Sequence, residues 1–477
     1  ITNAYNSGWM PGDIRGAYLA DTTAETITAS GELVTNGTFT TDTSGWTKVG
    51  ATAHTFTSVG AEGVLTKDAT SAANQSFNSP QTYVIGKTYT ATAQVRVTGA
   101  VSGRITMNST LGDWVSSATN ATTAITFVAT ATSQSLVVEV GGGAVAGTAI
   151  FDNISVKLAD PDRSVKNTGL VLNGSLVKTA VASGAGLVAY SGFSASNYLE
   201  QPYNANLDFG TGDFCVMGWV NSQSTTLSQS LFSRSTVGVI GSLLSVVLNQ
   251  TSVDIYCGSG TPLNSTTRQA IATWALITAV RRSGVLSYYL NDAFVASTAN
   301  TNNISDATAK TALGVYNYTA SPSAVSSFSS LALWRISATA PSADQIAHIY
   351  RTELPLFQAG AQCTIAGTST SVTALAYDDV ADTLHVGTSW GRTAFRDLLR
   401  VDSEATTTGA VTSISANQGA VLTGGASSGR FYQPAMLLRD ELRRKDEARK
   451  ALGKVPVFFD FTATASQTAF VLPKGYT

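Results

Sequence analysis

The stretch that decides the fold is LDFGTGDFCVMGWV (residues 207–220), followed later by WALITAV (274–280) and LSYYLNDAFV (286–295). Apolar residues recur at every second position in these segments, and Asn, Asp and Gly turns bound them. That pattern is typical of β-hairpins in which one face of the sheet is buried. The three segments therefore predict antiparallel strands joined in hairpins.

The length and composition of the chain limit the number of domains and the kinds of partner it can bind. A chain of 477 residues is too long for one core and predicts three or more domains. Charged residues make up 13%, about half the usual share, and the net charge is −2. That balance gives no electrostatic basis for binding nucleic acid or an anionic membrane. No apolar run reaches the ~18 residues needed to span a bilayer, so we expect no membrane insertion. The chain begins with Ile1, and we expect a fragment or a processed product.

In order and spacing, residues 198–296 resemble the laminin-G-like, concanavalin A-like lectin fold. The resemblance implies a two-sheet sandwich over residues 159–355, used for adhesion or sugar binding and rarely for catalysis. A strand at 331–336 precedes a capping-box pattern, Ser342 with Gln345, which predicts a short helix. Ser329 and Ser330 stand where this family often has an acidic residue, which weakens any claim of a metal site there.

Residues 31–158 predict another sandwich, with turn-separated strands throughout. Its opening, NGTF (36–39) then GW (45–46), and its closing strand FDNISV (151–156) resemble the jelly roll of carbohydrate-binding modules. The resemblance implies that these two ends lie side by side and that Trp46 is a core residue. It also implies that Asp152 could hold a structural Ca²⁺; the alternative is a carboxylate that caps a turn.

The two ends of the chain have a different character. Residues 1–30 predict an N-terminal arm whose aromatic residues dock either on a neighbouring chain or domain, or on the domain that follows. Residues 356–432 contain two strand–turn–strand units, at 372–388 and 411–424, that resemble propeller blades. Two such units cannot close a propeller, whereas three chains would supply six.

Residues 433–453 predict a charged helix, since ten of the twelve residues from Arg439 to Lys450 are charged. Its apolar stripe is thin, so it is either bundled about a symmetry axis or a solvated linker. Residues 454–477 resemble the start of β modules in bacteriophage tail fibres.

The sequence predicts no enzyme activity. His54, His348 and His385 have no partner at metal or triad spacing. The Glu-x-Asp-x-x-Glu strand of related sandwich glycosidases is absent from the sequence. Among the three cysteines, Cys215 and Cys257 fall in strand-like runs of one domain and could pair; isolated buried thiols are the alternative.

Sugar binding requires exposed flat aromatic rings together with planar polar groups. Trp114, beside Asp113 in a turn of the first sandwich, is one candidate. Tyr316, Asn317 and Tyr318 flank a loop of the second sandwich and form another. The alternative for the second group is a tyrosine pair on a half-buried strand.

The predicted fold class is all-β: serial β-sandwiches (a jelly roll, then a concanavalin A-like domain), a blade-like β segment, one short charged helix and a C-terminal β module. These features favour a structural virion protein of a bacteriophage, namely a tail fibre, spike or appendage subunit exposed on the particle surface. We expect a homotrimer that contacts other tail proteins and binds host cell-surface polysaccharide, with no cofactor beyond the structural calcium. One alternative is a secreted bacterial adhesin or the carbohydrate-binding accessory part of a polysaccharide-degrading enzyme. In another, the sandwiches are spacers between virion proteins.

Overall fold

The computed structural model describes residues 11–432 except 51–53, 71, 224–227, 237–242, 259–260, 317–328, 370, 406–408, 418–419 and 426–429. The described chain is built mainly of antiparallel strands, with one α-helix, which confirms the all-β fold class. None of its helices is long and apolar enough to cross a membrane. The predicted charged helix at 433–453 and the β module at 454–477 lie outside the described residues.

The first third of the chain contains twelve strands. They are β1 (Ile14–Tyr18), β2 (Glu25–Thr28), β3 (Thr47–Val49), β4 (Thr55–Val59), β5 (Glu62–Lys67), β6 (Gln75–Thr82), β7 (Thr88–Gly99), β8 (Ser102–Met107), β9 (Thr110–Leu111), β10 (Ala121–Val128), β11 (Ser133–Gly141) and β12 (Gly147–Asp160).

Strands β3 to β12 form the first sandwich. One sheet has the order β3-β6-β11-β8-β9, and the facing sheet has the order β4-β5-β12-β7-β10. Their inward side chains enclose one apolar cluster, in which Phe39, Trp46 and Phe56 meet edge to face or tilted. The core position predicted for Trp46 is confirmed, and its indole N–H donates to the carbonyl of Asn36 at 3.3 Å.

The two ends of this sandwich are adjacent, as the resemblance to carbohydrate-binding modules implied. The backbone N–H of Ile154 donates to the Gly37 carbonyl at 3.0 Å, and Leu33 donates to Val156 at 3.1 Å. A Cβ at position 37 would lie 2.1 Å from the Ile154 carbonyl oxygen. Only glycine allows this close approach of the opening segment to the closing strand.

The second sandwich adds fourteen strands. They are β13 (Leu170–Asn173), β14 (Ser175–Ala180), β15 (Val188–Ser191), β16 (Tyr198–Gln201), β17 (Phe214–Ser222), β18 (Gln229–Ser235), β19 (Leu244–Leu248), β20 (Val253–Cys257), β21 (Leu263–Ser265), β22 (Trp274–Arg282), β23 (Val285–Leu290), β24 (Ala293–Ala299), β25 (Lys310–Leu313) and β26 (Ser329–Ser337).

One sheet of this sandwich runs β2-β14-β15-β26-β17-β22-β23-β24, and β1 pairs with β26. The opposing sheet runs β13-β16-β25-β18-β19-β20-β21. The decisive stretch forms the central strand β17, while the two later segments form β22, β23 and β24, which are joined by hairpins as predicted.

The helix α1 (Ala343–Glu353) covers the outer face of the first of these sheets. Its capping box is confirmed: the Ser342 hydroxyl accepts from the Gln345 N–H at 3.2 Å, and the Gln345 side chain accepts from the Ser342 N–H at 2.7 Å. Ile346 and Ile349 are buried against the sheet. A 3₁₀ turn at Leu354–Phe357 follows directly.

Strands β1 and β2 belong to the second sandwich, so residues 14–28 are not part of a separate arm. Tyr18 in β1 is buried in the core of this sandwich, which agrees with docking of the arm's aromatic residues on the chain's own domain. The jelly roll is therefore inserted between β2 and β13. Strand β12 joins the two units, because its last residues, Ala159 and Asp160, pair with β13 of the second sandwich.

The described residues of the blade-like segment form seven strands. They are β27 (Ala374–Asp378), β28 (Thr383–Gly387), β29 (Gly391–Arg396), β30 (Leu399–Ala405), β31 (Val411–Asn417), β32 (Ala420–Gly425) and β33 (Arg430–Tyr432). Both predicted hairpins are present, as β27–β28 and β31–β32. The sequence analysis missed β29 and β30, which extend the first hairpin to a four-stranded up-and-down sheet.

Candidate functional site

The loop that carries Trp114 is fixed to the jelly roll by backbone hydrogen bonds. Gly103 in β8 and Val115 exchange two such bonds of 2.9 Å each, and Gly112 donates to Ile105 at 3.0 Å. The Val115 side chain is buried in the core. Because successive side chains of an extended segment alternate, Trp114 points away from the core.

The Trp114 ring is held in place on the outer face of the five-stranded sheet. The Arg104 guanidinium carbon lies 4.1 Å from its centroid, a cation–π arrangement. Arg104 Nε donates to Glu139 Oε2 at 2.7 Å, and the two residues are directly opposed in the β8–β11 register. A Cβ at Gly141 would lie 2.8 Å from the ring edge, so glycine provides the space the ring occupies.

The result is an exposed aromatic ring beside a fixed ion pair. Trp114 keeps 40% of its surface exposed, whereas the side chains of Arg104 and Glu139 are 13% and 18% exposed. The ring offers an apolar surface for stacking, and the pair offers hydrogen-bond donors and acceptors beside it. The sequence found Trp114 through its turn; the alternating pattern of β8 and β11 could also have shown that Arg104 and Glu139 face outward.

A cleft of about 710 Å³ lies farther along the same two strands. The turn 106–110, the connection 127–135 and Val137 line it. Thr106 is two residues from Arg104 on β8 and opposes Val137 on β11, so it shares the outward side of the sheet. We refer to this space as the turn-end cleft.

The two carboxylates predicted for the jelly roll have different environments. Asp113 is exposed next to Trp114. Both carboxylate oxygens of Asp152 accept from Asn153, one from its backbone N–H at 2.7 Å and one from its amide at 2.9 Å. Asn153 has φ 50° at a bulge of β12, so Asp152 caps this irregularity. No group of three or more potential metal ligands is present among the described residues, and the calcium site stays a prediction.

The candidate group in the second sandwich is only partly described. Tyr316 is 2% exposed and its hydroxyl lies 3.5 Å from the Ser245 hydroxyl, so its ring has no surface on which a sugar could stack. This corrects its assignment as a ligand-binding residue. The alternative, a tyrosine pair on a half-buried strand, is not tested, because Tyr318 lies outside the described residues. Asn317 and Tyr318 lie outside the described residues.

Residues with perturbed pKa values lie away from Trp114. Burial raises the pKa of Asp160 to about 6, although Tyr190 donates a hydrogen bond to it. Burial, and then the nearby Arg392, lowers the pKa of His385 to about 4. His54 is buried with its Nε2 3.1 Å from the Ser76 carbonyl.

All three cysteines are free and buried, so Cys215 and Cys257 do not pair.

Salt bridges connect the two sandwiches near Asp160. Lys178 contacts both Asp21 and Glu25, and Lys87 of the jelly roll lies 3.0 Å from Glu25. These residues line a second cleft, of about 410 Å³, at the junction. Lys178, Lys87, Asp21 and Glu25 each have a partner of opposite sign, which indicates a structural joint.

Comparison with known proteins identifies the second sandwich. Residues 193–347 match the concanavalin A-like lectin/glucanases superfamily. The resemblance read from the strand pattern is thereby confirmed for this part of the chain. No curated protein matches the sequence.

Solved structures that are similar to parts of this chain include toxin receptor-binding domains. The binding domain of Paraclostridial Mosquitocidal Protein 1 is 11% identical, with a TM-score of 0.34, over 57% of this chain and 72% of that chain. The receptor binding domain of botulinum neurotoxin C/D mosaic serotype is 8% identical, with a TM-score of 0.32, over 58% and 83%. The Trypanosoma rangeli sialidase is 10% identical, with a TM-score of 0.32, over 42% and 31%. Likeness at this level carries no argument about function.

Proposed function

We propose that the protein is a non-catalytic attachment subunit of a bacteriophage tail fibre, spike or appendage, which binds glycans of the host surface. The observation that carries the glycan-binding part is the exposed Trp114 ring, fixed in position by Arg104, Glu139 and the space at Gly141. A concanavalin A-like sandwich beside this jelly roll adds a second lectin-like unit.

The geometry of Trp114 suits sugar binding for a physical reason. Sugar rings present flat apolar C–H faces surrounded by hydroxyl groups, and an aromatic ring buries such a face. Since Trp114 is already held by its neighbours, binding costs little side-chain entropy. The Arg104–Glu139 pair supplies oriented hydrogen-bonding groups next to the ring.

The virion assignment rests on the organisation of the chain. Low charge, serial β modules and the resemblance of residues 454–477 to tail-fibre modules support it. The charged segment 433–453 suits a helix bundled in a trimer. A homotrimer would present three weak sites together, and multivalency would raise the avidity for repeated glycans without new contacts.

Binding to glycan arrays tests the glycan-binding part, using the full chain and two variants. Trp114→Ala should lower affinity at least tenfold. Phe294→Ala is the matched control, because Phe294 is an aromatic residue with 57% exposure on the second sandwich. Equal binding by Trp114→Ala and the unmodified protein would refute the role of this ring.

Two further measurements test the virion part. Sedimentation in the analytical ultracentrifuge should give a trimer, and antibody labelling should place the chain on the phage tail. A soluble monomer counts against the fibre assignment. A full reading frame with a signal peptide and a catalytic module would instead favour the accessory part of a polysaccharide-degrading enzyme.

A further inference from the structure

We infer that the turn-end cleft of the jelly roll is a binding site for a neutral saccharide chain. This inference rests on the proposed glycan-binding function and goes further, since it adds a second contact region and names the chemical class of the ligand. It is based on the lining of the cleft, its open hydrogen-bonding groups and its position relative to Trp114.

The lining of the cleft is polar but uncharged. Of its thirteen residues, none is acidic or basic and eight carry a hydroxyl or amide group. An anionic sugar would be desolvated there without a counter-charge, which is costly. Hydroxyl groups of a neutral sugar can exchange hydrogen bonds with hydroxyl and amide side chains at no such cost.

Several of these polar groups are open to a ligand. Within the described part of the chain, the side chains of Asn108, Ser109, Ser133 and Ser135 make no hydrogen bond. All four lie at or next to the ends of β8 and β11, so the sheet fixes their positions.

The connection on the other side of the cleft is also held in place. The Thr130 N–H donates to Gln134 Oε1 at 3.1 Å, and Gln134 Nε2 donates to the Thr130 hydroxyl at 3.2 Å. A cleft with fixed walls loses less conformational entropy when a ligand binds.

Apolar surface accompanies the polar groups. Val128 is 53% exposed on the edge strand β10, and Val137 is half-buried on the outer face. Both line the cleft and can cover a C–H face of a sugar ring. The volume of about 710 Å³ falls within the range of ordinary ligand sites, roughly 300–1,000 Å³.

The cleft and Trp114 lie on the same outer face of one sheet. Arg104 lies beneath the Trp114 ring, and Thr106 lines the cleft. The two residues are two positions apart on β8, a distance of about 7 Å along the strand. Leu111, which opposes Thr106 on the neighbouring strand β9, is exposed beside it. A linear neutral oligosaccharide could therefore stack on Trp114 and extend into the cleft.

The test is calorimetric titration of the full chain with neutral oligosaccharides from dextran, mannan and xylan, and with polygalacturonate and heparin fragments as anionic probes. The double variant Ser133→Lys/Ser135→Lys places two cations in the cleft on solvent-facing positions. Thr47→Lys, on the opposite edge strand of the same sheet, is the control. Thermal melting should show that both variants fold.

We expect a neutral oligosaccharide to bind, the double variant to bind it at least tenfold more weakly, and Thr47→Lys to bind it normally. If Trp114→Ala abolishes binding but the double variant does not weaken it, the protein binds glycans and the cleft assignment is wrong. Binding of only the anionic probes would overturn the neutral ligand class. Binding of no probe would count against both this inference and the glycan-binding function.

Discussion

Replacing Glu353 with alanine should destabilise the second sandwich strongly. Glu353, the last residue of α1, is 1% exposed and forms a salt bridge with Arg335, which is fully buried. Its Oε2 also accepts from Arg335 Nη2 at 3.0 Å and from the Trp219 indole N–H at 2.6 Å. The substitution leaves the buried guanidinium without its carboxylate.

The expected loss of stability follows from the Arg335 charge, which the substitution leaves buried without its carboxylate partner. Breaking a buried ion pair by removing one partner costs about 3–5 kcal/mol. For a sandwich of this size, that corresponds to a fall in Tm of roughly 6–20 °C. The double variant Arg335→Met/Glu353→Leu removes both charges and keeps apolar volume, but it leaves the buried Trp219 indole N–H without its acceptor. It should therefore cost about 1–3 kcal/mol, less than Glu353→Ala.

Urea unfolding monitored by tryptophan fluorescence measures the effect, because Trp219 stacks on Tyr350 and Phe357 beneath the helix. Arg351→Ala is the control: on the same helix, Arg351 forms an exposed pair with Asp292 at 3.3 Å. It should change stability by less than about 1 kcal/mol. A Glu353→Ala variant as stable as Arg351→Ala would show that the buried pair is not what holds the helix to the sheet.

Three further outcomes are expected. Gly218→Ala puts a Cβ 2.3 Å from the Trp334 ring and should cost about 1–3 kcal/mol in thermal unfolding; an unchanged Tm would contradict the packing. Gly141→Ala should displace Trp114 and weaken glycan binding while Tm hardly changes, and normal binding would show that the ring does not need this space. Because burial raises the pKa of Asp160 to about 6, the folded state holds a proton that the unfolded state releases near pH 4. Stability should therefore fall by as much as about 3 kcal/mol from pH 4 to 6, and Asp160→Asn should remove this dependence in urea titrations across that range.

Local patterns allowed much of the fold to be predicted. Alternation bounded by turns located β17, β22 and β23, and the Ser342–Gln345 box located the start of α1, because each signal lies within a few consecutive residues. The short strands β1 and β2 could not be assigned in this way. Their partners, β26 and β14, lie more than 140 residues away, and only tertiary packing decides which sheet they join.

The candidate site was predicted less completely for a similar reason. Trp114 stood out because it follows a Gly-Asp turn, but the strand register alone brings Arg104 and Glu139 together. Tyr316 is the opposite case, because the sequence predicted a ligand-binding residue and the structure buries its side chain. A tyrosine near a loop can face either side of a sheet, and the sequence does not say that this one is covered.

Because the jelly roll is inserted between β2 and β13, mechanical force would take different routes through the molecule. The start of β1 pairs with the end of β26, since Ile14 lies opposite Ser337. A force that pulls these two ends apart would therefore act on that pair of residues and would not pass through the jelly roll. A pull between a ligand held on the jelly roll and the second sandwich would instead load β12 along its length. The backbone hydrogen bonds that pair β12 with its neighbours are perpendicular to that force, so many of them would have to break at once. We therefore expect the junction to resist shear.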